Sequence, residues 1–152
     1  MRKANVLFYS GASVLLVTAA SLVGCAPGGS STCDHLVYKE GGLTRDQYLP
    51  CVAAMLSTMD ALDEQMQAVL NGDKVARARA LVLYHRLGSQ IRQAGGRRLL
   101  ERWQDESLND LNMKLMNAYA GYQGAIAIPN EPDAGSASRS KDEARSLYES
   151  LR

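Results

Sequence analysis

The sequence is short of the residues that do chemistry. It holds two histidines, three cysteines and one tryptophan in 152 residues. No GxSxG, HExxH, P-loop or dinucleotide glycine fingerprint occurs in it. No CxxC or HxxxH spacing completes a four-ligand set, so neither a metal site nor a cofactor is expected. The acid pairs Asp63-Glu64 and Asp105-Glu106 are adjacent in sequence and do not face each other on a helix, as an acid/base pair must. His35 sits in an irregular N-terminal stretch, and His85 projects away from the apolar side of its helix, where a solvated histidine is expected. A charge imbalance is missing too. Seventeen bases against 16 acids give a net charge of +1, without the basic footprint of a nucleic-acid binder. There is no internal repeat. An enzyme is the least supported class.

What is present begins at the N-terminus. Arg2 and Lys3 precede an apolar run from Val6 to Val23, thinned by Ser10, Gly11, Ser13, Thr18 and Ser21. That is the layout of a secretory signal, and it is short and interrupted for a permanent span, which needs roughly 20 mostly apolar residues. The run closes on Leu22-Val23-Gly24-Cys25. This stretch resembles the lipobox of bacterial lipoproteins, and the resemblance covers Met1 to Cys25. It implies that the Cys25 thiol carries a diacylglyceryl group, that residues 1–24 are removed, and that further acylation such as palmitate follows. Two or three acyl chains, at about 0.8 kcal/mol per buried methylene, anchor a protein to a membrane effectively for good. By the lipoprotein pattern, Ala26 behind the cysteine implies the periplasmic face of the outer membrane in a double-membrane bacterium, and the cell membrane otherwise.

Residues 25–32 read as a flexible tether, rich in Gly and Ser, that keeps the body within about 15 Å of the lipid. With Cys25 taken, Cys33 and Cys51 remain as an even pair in an oxidising compartment, where a disulfide is expected. It would stabilise the fold by about 3 kcal/mol.

The expected fold is all-α, a small antiparallel bundle of three main helices over residues 33–128. Thr44 and Gln47 have capping-box spacing, while Pro50 requires either a helix that starts near Leu49 or a kink. Tyr48, Val52, Met55, Met59, Leu62, Met66 and Val69 then alternate by four and three, a helical seam. Asn71-Gly72 stops it, and Asp73 caps a second helix at once, which forces a hairpin. On that helix Ala76, Ala80, Leu83, Leu87, Ile91 and Ala94 share a face, and Gly95-Gly96 ends it. A third stripe is Leu108, Leu111, Leu115, Tyr119, Tyr122 and Ile126. Leu99 and Trp103 point away from that stripe. Either the helix breaks near Asp105 to Ser107 and Trp103 turns inward, or the pair is exposed. Residues 129–139 read as a linker by composition. Residues 140–152 read as a short amphipathic C-terminal helix opened by Ser140 and Glu143.

Charge is unevenly placed. Lys74, Arg77, Arg79, Arg86, Arg92, Arg97, Arg98 and Arg102 face only Glu101 in their stretch, whereas Asp46, Asp60, Asp63 and Glu64 precede them without a cation between. Antiparallel neighbours could pair these opposite signs across their edges. Alternatively Arg97, Arg98, Leu99, Arg102 and Trp103 form a contact surface for a protein partner or anionic headgroups, since Trp and Arg are enriched at hot spots. The methionines admit two readings as well: thioethers around copper in a carrier, or fillers of a bundle core, with the interleaved Val52, Leu62 and Val69 favouring core. In size, lipidation and helical build the chain resembles the small lipoprotein chaperones of secretion channels called pilotins, and it is as similar to entry-exclusion or immunity-type lipoproteins. The expectation is a membrane-anchored, non-enzymatic protein-binding or adaptor module. The alternative is a small-ligand or copper carrier using the Met-rich interior.

Overall fold

The Gln47 side chain reaches back to Thr44, its Oε1 accepting from the Thr44 backbone N–H at 3.1 Å, and so fixes where the first helix begins. In the computed structural model, which describes residues 44–94 and 105–152, helix α1 runs Arg45–Leu70 with Pro50 inside it. A start delayed to Leu49 does not occur. Pro50 and Asp46 are both exposed, so the Asp46 carbonyl that lacks an intrahelical donor faces water. Every member of the α1 seam, from Tyr48 to Val69, is buried.

The turn after α1 follows from two residues. Gly72 takes φ +83°, a left-handed conformation that costs a glycine nothing. Its N–H donates to the Val69 carbonyl and that of Asp73 to the Ala68 carbonyl, a Schellman closure. Asp73 then caps α2, Lys74–Gln93, its carboxylate accepting from the N–H groups of Val75 at 2.7 Å and Ala76 at 3.1 Å. The inward row of α2 is the expected one, with Leu83 half-buried.

Asp105 caps α3, Glu106–Ala127, by accepting from Ser107 and Leu108. The third helix therefore begins at Asp105, inside the stretch where the sequence allowed a break. Leu99 and Trp103 lie outside the described residues, as do Cys25 and Cys33. Cys51 is fully buried on α1.

The fourth element departs from expectation. Residues 129–139 are not a linker, and no short helix starts at Ser140. Instead α4 spans Glu131–Ser150. Asn130 is its cap, accepting from the Asp133 N–H at 2.8 Å and donating through Nδ2 to the Ile128 carbonyl at 2.7 Å. Pro132 falls in the first turn, where its missing N–H is not needed. Glu131 and Asp133 suit the positive helix start. The Gly, Ala and Ser that read as a linker let two backbones approach. A Cβ built on Gly121 of α3 would meet Ala137 backbone atoms at 3.0 Å.

The result is an all-α, up-down-up-down bundle. Each helix touches its chain neighbour, α4 returns against α1, and α1 and α3 also meet across the diagonal, whereas α2 and α4 do not touch. The hydrogen bond from Tyr48 Oη to Asn112 Oδ1, 3.1 Å, ties the diagonal at one end. The wider separation leaves α2 with two neighbouring helices, α1 and α3, among the described residues.

Candidate functional site

Two polar regions stand out, and they differ in how far their charges are matched. The first lies where α1, α3 and α4 meet. Lys141, buried on α4, places Nζ 2.6 Å from Asp63 Oδ2 and 3.1 Å from Asp60 Oδ1. Arg145 donates to both oxygens of Asp60 at 2.6 and 2.7 Å. The Tyr122 hydroxyl donates to Asp63 Oδ1 at 2.7 Å, and Ser138 Oγ donates to Asp63 Oδ2 at 3.3 Å.

Burial alone would pull Lys141 down, but its hydrogen bonds and charge pairing with Asp63 and Asp60 more than offset this, so its ammonium titrates above the ordinary lysine value. Burial pushes Asp60 up, and the hydrogen bonds and charges of Arg145 and Lys141 bring it below the ordinary aspartate value. Tyr122 is raised by burial first and then by its bond to Asp63. Lys114 of α3 pairs with Glu143 of α4 at 2.6 Å. Each charge in this region has an opposite partner, which is the arrangement of a structural clamp.

The second region is the exposed side of α2. Lys74, Arg77, Arg79, Arg86 and Arg92 are all exposed, and α2 contains no acid. None of the ion pairs formed among the described residues involves α2. Arg77 alone is engaged, donating to the Ala127 carbonyl at 2.8 Å. Pairing of α2 cations with α1 acids, one of the two expectations, does not occur: Asp60 and Asp63 turn to α4.

Apolar side chains lie among these cations. Val75 is 60% exposed, Leu81 41% and Val82 69%. On one flank of α2 a groove of 350 Å³ is lined by Ala61, Glu64, Gln65, Arg79, Val82 and Leu83. On the other flank a cleft of 230 Å³ is lined by Arg77, Leu81, Tyr84, His85, Gln123, Ile126 and Ala127. Stacking of Tyr84 on Tyr119, with centroids 4.5 Å apart and rings 5° from parallel, seals α2 against α3. His85 is exposed, as its projection required.

Of the residues singled out from sequence, Arg97, Arg98, Leu99, Arg102 and Trp103 lie outside the described residues, so their mutual geometry is not described. The methionines of α1 are placed as core: Met55, Met59 and Met66 are buried among Val52, Leu62 and Val69. Met116 is half-buried and Met113 exposed. Among the described residues no group of three or more His, Cys, Asp or Glu could hold a metal ion. No helix among them is long and apolar enough to cross a membrane.

Sequence reasoning missed both polar regions in their detail. The clamp joins residues about eighty positions apart, for which a single sequence carries no signal. The α2 face did carry one: apolar Val75 and Val82 fall off the core stripe, in a segment without an acid. No protein-family model, curated protein or solved structure matches the chain.

Proposed function

We propose that this protein is an exported lipoprotein, anchored through Cys25 and acting by binding as an adaptor for a protein partner rather than by catalysis. The observation that supports the binding role is the unmatched charge of α2. Lys114, Lys141 and Arg145 of α3 and α4 meet acids, whereas the five α2 cations stand exposed beside apolar side chains and form no ion pair among the described residues. In the sequence the same run continues past Arg92 into Arg97, Arg98 and Arg102, with Leu99 between them and Trp103 directly after Arg102. We assign the protein contact to that segment, where an aromatic anchor ringed by guanidinium groups would meet an acidic surface. The anchor reading rests on Leu22-Val23-Gly24-Cys25, and a Cys33–Cys51 disulfide belongs with it, since Cys51 lies buried near the start of α1.

Two substitutions test these parts separately. Cys25→Ser should leave an unprocessed precursor, and an unchanged mature mass and detergent partitioning would refute the anchor. Crosslinking in intact membranes, followed by identification of what co-purifies, should yield a protein adduct that Trp103→Ala weakens while the melting temperature stays nearly constant. A loss of about 3–5 kcal/mol of stability without a specific capture defect would make Trp103 core instead.

A further inference from the structure

The central strip of α2 has a chemistry that a protein contact at Trp103 does not use. At about 100° per residue, Val75, Ala78 and Val82 fall on the side of α2 opposite Ala80 and Leu87, which point into the bundle. Arg79 and Arg86 line one side of this strip, the side facing α1, where Arg79 borders the groove. Lys74, Arg77 and Arg92 line the other, where Arg77 borders the cleft with α3. Val75, Ala78 and Val82 form an apolar strip over about two turns, continued on the same side by His85 and Ser89, and rows of cations flank it along a helix of 20 residues or about 30 Å, which is the layout of a helix lying in a membrane interface.

We propose that the outer face of α2 lies flat on an anionic lipid surface. Charge complementarity favours lipid over an acidic protein segment. Arg77 is turned to the Ala127 carbonyl, but Lys74, Arg79, Arg86 and Arg92 are spread along the length and both sides of the strip, so a planar sheet of phosphates meets these four, whereas a single peptide meets one row. Asp73 is taken up in capping, and Glu64, across the groove from Arg79, is the acid at the edge of the strip. The chain outside the bundle fits this placement. The Gly- and Ser-rich tether read from the sequence at residues 25–32 would keep the bundle within about 15 Å of the lipid, close enough for α2 to be held against the same leaflet. Only this placement rests on the anchor reading. The affinity of the α2 face for anionic lipid does not.

The test uses the unlipidated chain 26–152, which retains every described residue and thus the whole described core. Its melt is recorded for each variant, and it is sedimented with phosphatidylglycerol/phosphatidylcholine vesicles and with pure phosphatidylcholine vesicles. Binding to the anionic vesicles alone is expected, falling as salt rises. Arg79→Glu with Arg86→Glu should weaken it at least about tenfold. Arg139→Glu, a charge reversal at an exposed position of α4, should leave it nearly unchanged. Val82→Asp should weaken it without touching a cation. Absence of binding to anionic vesicles, equal binding to both vesicle types, or equal loss with Arg139→Glu would overturn the proposal. Loss of a protein crosslink in the Arg79→Glu, Arg86→Glu pair, with vesicle binding intact, would assign the face to a protein and overturn it as well. A failed anchor shows up separately, as unchanged detergent partitioning of Cys25→Ser.

Discussion

Lys141 shows how much one residue can decide. It is buried, its side chain 10% exposed, and its ammonium is shared by Asp63 and Asp60 from a helix about eighty positions earlier. Removing Lys141 leaves Asp60 with Arg145 but leaves the more buried Asp63 without a cation, and an uncompensated carboxylate costs more than the intact pair contributes. Lys141→Ala should therefore destabilise the bundle by about 3 kcal/mol, read as a shift of the urea midpoint at constant slope. An effect under about 0.5 kcal/mol would mean that water takes over the two carboxylates. Asp73 works differently, because its role is local. It closes α1 through its backbone and opens α2 through its side chain. That dual role was legible in Asn71-Gly72-Asp73, since caps act within a few residues of themselves. Lys141 was not legible, since nothing near it in sequence says which carboxylates it will meet.

At the scale of elements, α1, α2 and α3 declare themselves by apolar rows at helical spacing, and the structure buries those rows. Helix α4 has no such row over its first half. Its inward positions are Ala134, Ala137, Lys141 and Ala144, which carry little hydropathy and read as a linker. What they provide is closeness: Gly121 and Ala137 let α3 and α4 touch backbone to backbone. Gly121→Ala gains helix propensity, yet its methyl has no room unless the two helices move apart. A net loss of about 1–3 kcal/mol is expected from thermal melts. A gain would mean that the crossing is looser than its geometry requires. The Pro and Gly that suggested a break in the chain serve a helix here, Pro132 in the first turn and Gly135 with only Arg139 Nη1 near the place of a Cβ.

For the whole molecule, the clamp between α1 and α4 sets a pH window. Asp60 titrates below its ordinary 3.8 in the folded state. Its contribution is present above that value and is lost as pH falls through the lowered one. Lys141 titrates above its ordinary 10.5, so its contribution is present below that value and is lost as pH rises through the raised one. Stability from the clamp should thus hold from about pH 4 to pH 10 and fall on both sides. Asp60→Asn should flatten the acid limb of a melting-temperature profile. An unchanged acid limb would place the acid sensitivity elsewhere.

The sequence by itself determined the all-α class, the seams of three helices, the caps at Thr44, Asp73 and Asp105, and the hairpin turn at Gly72. Each is set by residues within one or two turns of each other. Only the tertiary structure decided that α4 is a full helix, that Asp60 and Asp63 turn to Lys141 and Arg145, and that the cations of α2 form no ion pair among the described residues. Those outcomes depend on which surfaces meet in space. Charges that are nearly equal in number along the chain become separate, one set enclosed and one exposed, when helices with no contact in sequence pack together.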